Sequence, residues 1–165
     1  MLDSHLFSKR IIALVAPNFE EGFTVYCLDQ MREARLPSTL ISISKGLVRG
    51  LHGICVEPDG TLNSIDPVDV GMVIIPGSRS CASRLLSDPR VHRLLDKTIA
   101  NGGYIVTRES VQELVTTLGV KKVAERQHLL VQGSLSTSEF VQKLINIWRD
   151  PLLSPNGHLR SVALV

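Results

Sequence analysis

Cysteine is scarce in this sequence. Cys27, Cys55 and Cys81 are an odd set with no C-x-x-C spacing, so neither a disulfide framework nor a zinc site is expected, and a reducing cytoplasm suits the chain best. Aromatic residues are also few, with one tryptophan, two tyrosines and four phenylalanines, and the formal net charge is only +2. Lysine and arginine are scattered among aspartate and glutamate, and without a basic block interleaved with aromatics nucleic acid is not an expected partner. The longest uncharged apolar runs, 11–17 and 70–76, fall far short of the roughly 18 residues that span a bilayer, so no membrane span is expected. Residues 1–10 place Asp3 and His5 ahead of Lys9 and Arg10, without the basic start, apolar stretch and cleavage site of a signal peptide. No glycine-rich phosphate loop of the GxGxxG or GxxxxGK[ST] type is present, and no cofactor or metal is expected.

What remains is the composition of one folded domain: 165 residues, 44% hydrophobic, 21% charged, with a mean hydropathy of +0.16. Residues 10–16 form a β-branched run that reads as a strand buried on both faces, the kind found in parallel sheets. Phe23, Tyr26, Cys27, Met31 and Ala34 recur at helical spacing, closed by Pro37, which predicts a helix over 22–35. Strands follow at 39–44 and 54–57, and the clearest is 70–75, stopped by Pro76 and Gly77. Asp88-Pro89 opens a helix ended by Asn101, Gly102 and Gly103. Residues 104–107 form a strand, and the capping-box spacing of Ser110 and Glu113 predicts a helix immediately afterwards, running to position 119. Strands at 120–124 and 129–132 precede a second capping box, Ser136 with Glu139, which opens a helix through Trp148. Alternation on this scale predicts an α/β fold with right-handed crossovers and a mostly parallel sheet. Ligands in such sheets sit beyond the carboxyl ends of the strands, here the loops at 17–22, 76–83 and 108–110.

Those loops carry a family pattern. The stretch from Lys9 through Ala-Pro-Asn-Phe-Glu-Glu21, then Val73-Ile-Ile-Pro-Gly77, then Gly103-Tyr-Ile-Val-Thr-Arg-Glu-Ser110, together resemble the DJ-1/PfpI (ThiJ) family of the class I glutamine amidotransferase-like superfamily. Gly133-Ser-Leu-Ser-Thr-Ser-Glu-Phe140 is similar to that family's turn into its last large helix. The resemblance implies a flavodoxin-like three-layer sandwich over residues 9–149, with an extension at 1–8 and a tail at 150–165. It also implies a homodimer; a partner protein is an alternative cover for the apolar tail residues such as Leu152, Leu153 and Leu164.

The family's chemistry uses a cysteine on a sharp strand-to-helix elbow, supported by a glutamate from the first loop. By the resemblance the elbow here falls on Glu109 and the supporting acid on Phe23, so both groups are replaced. Gly77-Ser78 stands where the family has two glycines offering amides to an oxyanion. The family's histidine after the elbow has no counterpart, His128 standing instead at the start of a strand. The leading expectation is therefore a cytoplasmic pseudoenzyme that acts as a binding, regulatory or assembly subunit. A rival keeps a hydrolase, glyoxalase or deglycase activity on a small carbonyl or amide substrate. It would use Glu109 paired with Glu20 or Glu21 as acid and base, or Cys81 as a thiolate favoured by Arg79 and Arg84. A third reading is a small-anion or metabolite sensor, with Gly77, Ser78, Arg79, Arg108 and Ser110 as binding groups and His52 at the cleft. Cys27 and Cys55 are expected in the core.

Overall fold

The computed structural model describes residues 9–118 and 128–150. Strand β1 (Arg10–Val15) leads through a short loop into helix α1 (Glu21–Glu33), and β2 (Ser38–Ser42) follows. Two short strands, β3 (Val48–Arg49) and β4 (Cys55–Val56), pair with each other, and β5 (Gly60–Thr61) joins the main sheet. After β6 (Val70–Ile75) come α2 (Arg79–Leu86), α3 (Pro89–Ala100), β7 (Tyr104–Thr107), α4 (Glu109–Leu118), β8 (Leu129–Val131) and α5 (Thr137–Arg149).

The main sheet is six-stranded in the order β5-β2-β1-β6-β7-β8, and every pairing in it is parallel. Its central strands are apolar on both faces because both faces are covered: all of β6, all of β7 and β1 from Ile11 onward are buried. Helices α1 and α5 pack together in one layer, stacking Phe23 on Phe140 with ring centroids 6.3 Å apart. Helices α2, α3 and α4 form the other. This is the expected α/β sandwich. No helix of the described residues is long and apolar enough to cross a membrane.

Local signals acted where their geometry was complete. Asp88 Oδ1 accepts the Arg90 N–H at 2.9 Å with Pro89 at the first helical position. The Ser136 box closes in both directions, Glu139 N–H to Ser136 Oγ at 3.2 Å and Ser136 N–H to Glu139 Oε2 at 2.9 Å. The Ser110 box does not form: α4 already begins at Glu109, so Ser110 lies inside its first turn rather than ahead of it.

Three further expectations are corrected. The loop expected over 76–83 contains most of α2, which Ser78 caps by accepting the Cys81 N–H. The strand expected at 54–57 is not part of the parallel sheet; it shrinks to β4, antiparallel to β3 in a ribbon of its own. Cys55 is consequently exposed rather than in the core, whereas Cys27 is buried as expected. One side of the ribbon lies on the core through buried Val48 and partly buried Val56, while Leu47, Leu51 and Ile54 around it are at least half exposed. The strand expected at 120–124 and the segments at 1–8 and 151–165 lie outside the described residues.

Candidate functional site

The strand order reverses between β1 and β6, whose outward connections run to opposite sides of the sheet. Beyond the carboxyl ends of these two strands lies the crevice where α/β sheets place ligands. Two loops knit its floor. Glu20 N–H donates to the Gly77 carbonyl at 2.7 Å, and Ser78 Oγ donates to the Asn18 carbonyl at 2.8 Å. Asn18 takes a positive φ of 68° to make this turn, and its side-chain amide donates to Ser80 Oγ at 3.1 Å. The Ser78 N–H faces the Asn18 carbonyl at 3.5 Å, so this amide is turned to the loop rather than presented to a ligand. The approach at Gly77 is close: a Cβ there would stand 2.9 Å from Glu20 Oε2 and 3.7 Å from Ser110 Oγ, which places these three residues around one spot.

β7 supplies the third wall. It ends at Thr107 and α4 starts at Glu109, so the single residue in the junction is Arg108. Glu109, the residue assigned to the elbow by the sequence pattern, is the first residue of α4 and is exposed. Arg108 is held from three sides. Its Nε donates to Gln132 Oε1 at 3.0 Å, its guanidinium carbon sits 5.3 Å above the centre of the Phe23 ring, and Nη1 pairs with Glu20 Oε2. The side chains of the pair are 25% and 29% exposed, so the contact is open to water. Phe23, where the sequence resemblance expected a supporting acid to have been replaced, thus offers a ring face to a cation.

Glu21 faces elsewhere. Its buried carboxylate gathers the strand-ribbon loop: Oε1 accepts the N–H of His52 at 2.7 Å and of Ile54 at 3.3 Å, and Oε2 lies 2.9 Å from His52 Nδ1. Burial pushes its pKa up, but its own N–H and these donors outweigh that and lower it to about 2. His52 is brought to Glu21, not to Arg108, and its side chain is 69% exposed.

The acid pair that general acid–base chemistry would need is not assembled. Glu20 bonds to Arg108, Glu21 bonds to the loop, and Glu109 makes no hydrogen bond or ion pair with either among the described residues. Cys81 is corrected as a thiolate candidate. It is fully buried, and burial pushes its thiol up to about 11 despite the N–H of Ala16 and the charge of Arg84. Arg79 is exposed at the start of α2 and Arg84 is exposed further along it, so both stand on a helix rather than in the loop expected over 76–83. His128 belongs to the opposite end of the sheet, its Nδ1 2.9 Å from the carbonyl of Gly103 ahead of β7. No group of three His, Cys, Asp or Glu side chains among the described residues is placed to hold a metal ion. Gln132 was not anticipated; the signal was a polar residue at the carboxyl end of the strand next to β7.

The fold and its crevice define a parallel α/β sandwich with a strand-to-helix elbow. The family profile of DJ-1/PfpI matches residues 9–108, and the chain belongs to the DJ-1/PfpI family. It is 24% identical over 113 residues to "Deglycase PfpI" of Pyrococcus furiosus, covering 68% of each chain. To "Deglycase TK1284" of Thermococcus kodakarensis it is 26% identical over 91 residues, spanning 55% of this chain and half of that one. Among solved structures, the VC2308 protein superposes with a TM-score of 0.73 at 20% identity, covering 91% of both chains. Oxidized Toxoplasma gondii DJ-1 gives 0.71 at 19% identity over 90% of this chain and 95% of its own. At these identities the structures speak for the fold.

Proposed function

We propose that this DJ-1/PfpI chain is a binding, regulatory or assembly subunit that does not carry out its relatives' chemistry. One observation carries the reading: the residue in the strand-to-helix junction is an arginine, neutralised by Glu20 and stacked on Phe23. A guanidinium is neither a nucleophile nor a proton donor near neutral pH, since it stays protonated. Around the crevice, among the described residues, no serine, threonine or cysteine side chain is hydrogen-bonded to a histidine or carboxylate side chain that could activate it; the Ser136 hydroxyl bonded to Glu139 belongs to the cap of α5. Two relatives carry the name deglycase, so the rival reading is a family-type hydrolase, glyoxalase or deglycase.

The test is consumption of methylglyoxal and release of a glycated thiol, with the Pyrococcus furiosus relative as positive control. The expected rate is that of buffer alone. Turnover that disappears in Glu109→Gln or Cys81→Ser would overturn the proposal. The reading includes a homodimer in the cytoplasm. The exposed Leu47, Leu51 and Ile54 of the ribbon, with Val25 on α1, support a second copy as their cover. Native mass spectrometry should show twice the chain mass; a monomer, or a complex with a distinct protein, would replace that part.

A further inference from the structure

We propose that the Arg108 guanidinium is the receptor for a small carboxylate and that Glu20 is its built-in competitor. This rests on the reading above only in placing a cation, not a nucleophile, in the junction. Arg108 is fixed without being fully used. Gln132 takes Nε and the Phe23 ring supports the plane of the group, and neither contact neutralises its charge. Phe23 is itself held against Phe140, so the platform beneath the guanidinium is rigid.

The neutralising contact comes from Glu20 and is one-sided: Oε2 meets Nη1, while Nη2 has no partner among the described residues. The Nη1–Nη2 edge is the fork that accepts both oxygens of a carboxylate. A free carboxylate can fill that edge, whereas Glu20 fills half of it. Displacement costs little, because a solvent-open ion pair contributes little.

The backbone around Glu20 also favours exchange. Its N–H is held by the Gly77 carbonyl and its own carbonyl accepts the Thr24 hydroxyl at 2.7 Å, so the main chain is anchored, whereas the carboxylate is held among the described residues by Arg108 alone. The space it leaves is bounded by Gly77 and the exposed Ser110 hydroxyl, a neutral donor suited to a carboxylate oxygen. The single charge of Arg108 is balanced by one carboxylate; a phosphate can use the same fork, and titration with each separates the two.

The test follows the backbone amide resonances of Gly77 and Ser110, which bound the site, in the full chain labelled uniformly with nitrogen-15, during titration with sodium propionate at constant ionic strength. The expected result is a saturable shift, lost in Arg108→Lys, which keeps the charge and is checked for folding by its amide spectrum. In Glu20→Gln, which leaves Arg108 in place, affinity should rise about five-fold as the competitor is removed. A linear shift in the parent, or a saturable one that persists in Arg108→Lys, would overturn the receptor, and unchanged affinity in Glu20→Gln would overturn the competitor. Tighter binding of inorganic phosphate than of propionate would overturn the ligand class. Turnover of methylglyoxal with propionate binding intact would end the non-catalytic reading and leave this one standing. Absent binding without turnover would do the reverse.

Discussion

Replacing Phe23 by glutamate puts a carboxylate where the sequence resemblance expects the family's supporting acid, and the structure states what that carboxylate would meet. The Phe23 side chain is 3% exposed and lies between Phe140 and Arg108. Losing its apolar burial and stacking costs about 2–4 kcal/mol. Against that, unit charges 5.3 Å apart, the present distance from guanidinium carbon to ring centre, attract by about 3 kcal/mol at an effective dielectric constant of about 20. Arg108 is a quarter exposed and already shared with Glu20, so a coupling of about 1.5–3 kcal/mol is the reasonable share. The assay is a double-mutant cycle by urea unfolding at neutral pH with Phe23→Glu, Arg108→Gln and the combination. Arg108→Gln alone should cost about 1 kcal/mol from the lost ring and ion-pair contacts. The double variant should be less stable than the sum of the single losses by the coupling energy, because the new carboxylate is then buried without its cation. Additivity within about 0.5 kcal/mol would refute the placement of Arg108 over position 23.

Three further outcomes are expected. Glu21 has a folded pKa lowered to about 2 from the 4.5 ordinary for a glutamate, so its contribution is present above about pH 4.5 and is lost as pH falls towards 2. A thermal melt series over that window should show a shallower loss for Glu21→Gln than for the parent; an identical slope would assign the whole effect to Asp88 and Glu139, which Arg90 and Ser136 also hold low. In native thiol titration at pH 8, Cys55 should react first. Cys81, at about 11, and Cys27, at about 12, should wait for denaturant, since about one Cys81 in a thousand is then thiolate; rapid labelling of Cys81 would contradict its burial. Gly50 touches the Glu21 carboxylate so closely that a methyl group there would overlap it, and Gly50→Ala should cost about 1–3 kcal/mol, read as a lower melting temperature and refuted by an unchanged one.

The layered fold was legible because its signals are local and redundant. The runs at 70–75 and 104–107 coincide with β6 and β7, and the Asp88 and Ser136 starts each formed their bonds. The Ser110 box shows the limit of spacing alone: the same S-x-x-E pattern is satisfied one residue inside a helix as well as at its cap, and the strand end at Thr107 decided which. Cys55 was misread because a β-branched neighbourhood marks a strand without saying whether a second layer covers it. At the site, the three loops could be found from the ends of apolar runs. Which side chain would fill the junction could not, because Arg108 and Glu109 differ by one position and tertiary partners, Phe23 and Gln132, claim the first.

The closure of α1 by α5 bears on how the chain comes off the ribosome. Residues 9–108 carry the matched family segment, yet the layer over one side of their sheet is shared with α5, which is made after them. Phe140 covers Phe23 at one end, and at the other the Arg149 Nη2 reaches the Ala34 carbonyl at 3.0 Å across 115 positions of sequence. A nascent chain stalled before position 137 would hold β1, β6 and β7 with that flank covered by α1 alone. Completion of the layer over residues 9–108 therefore waits for α5, and a ribosome paused just upstream of it would be the place to catch the protein half dressed.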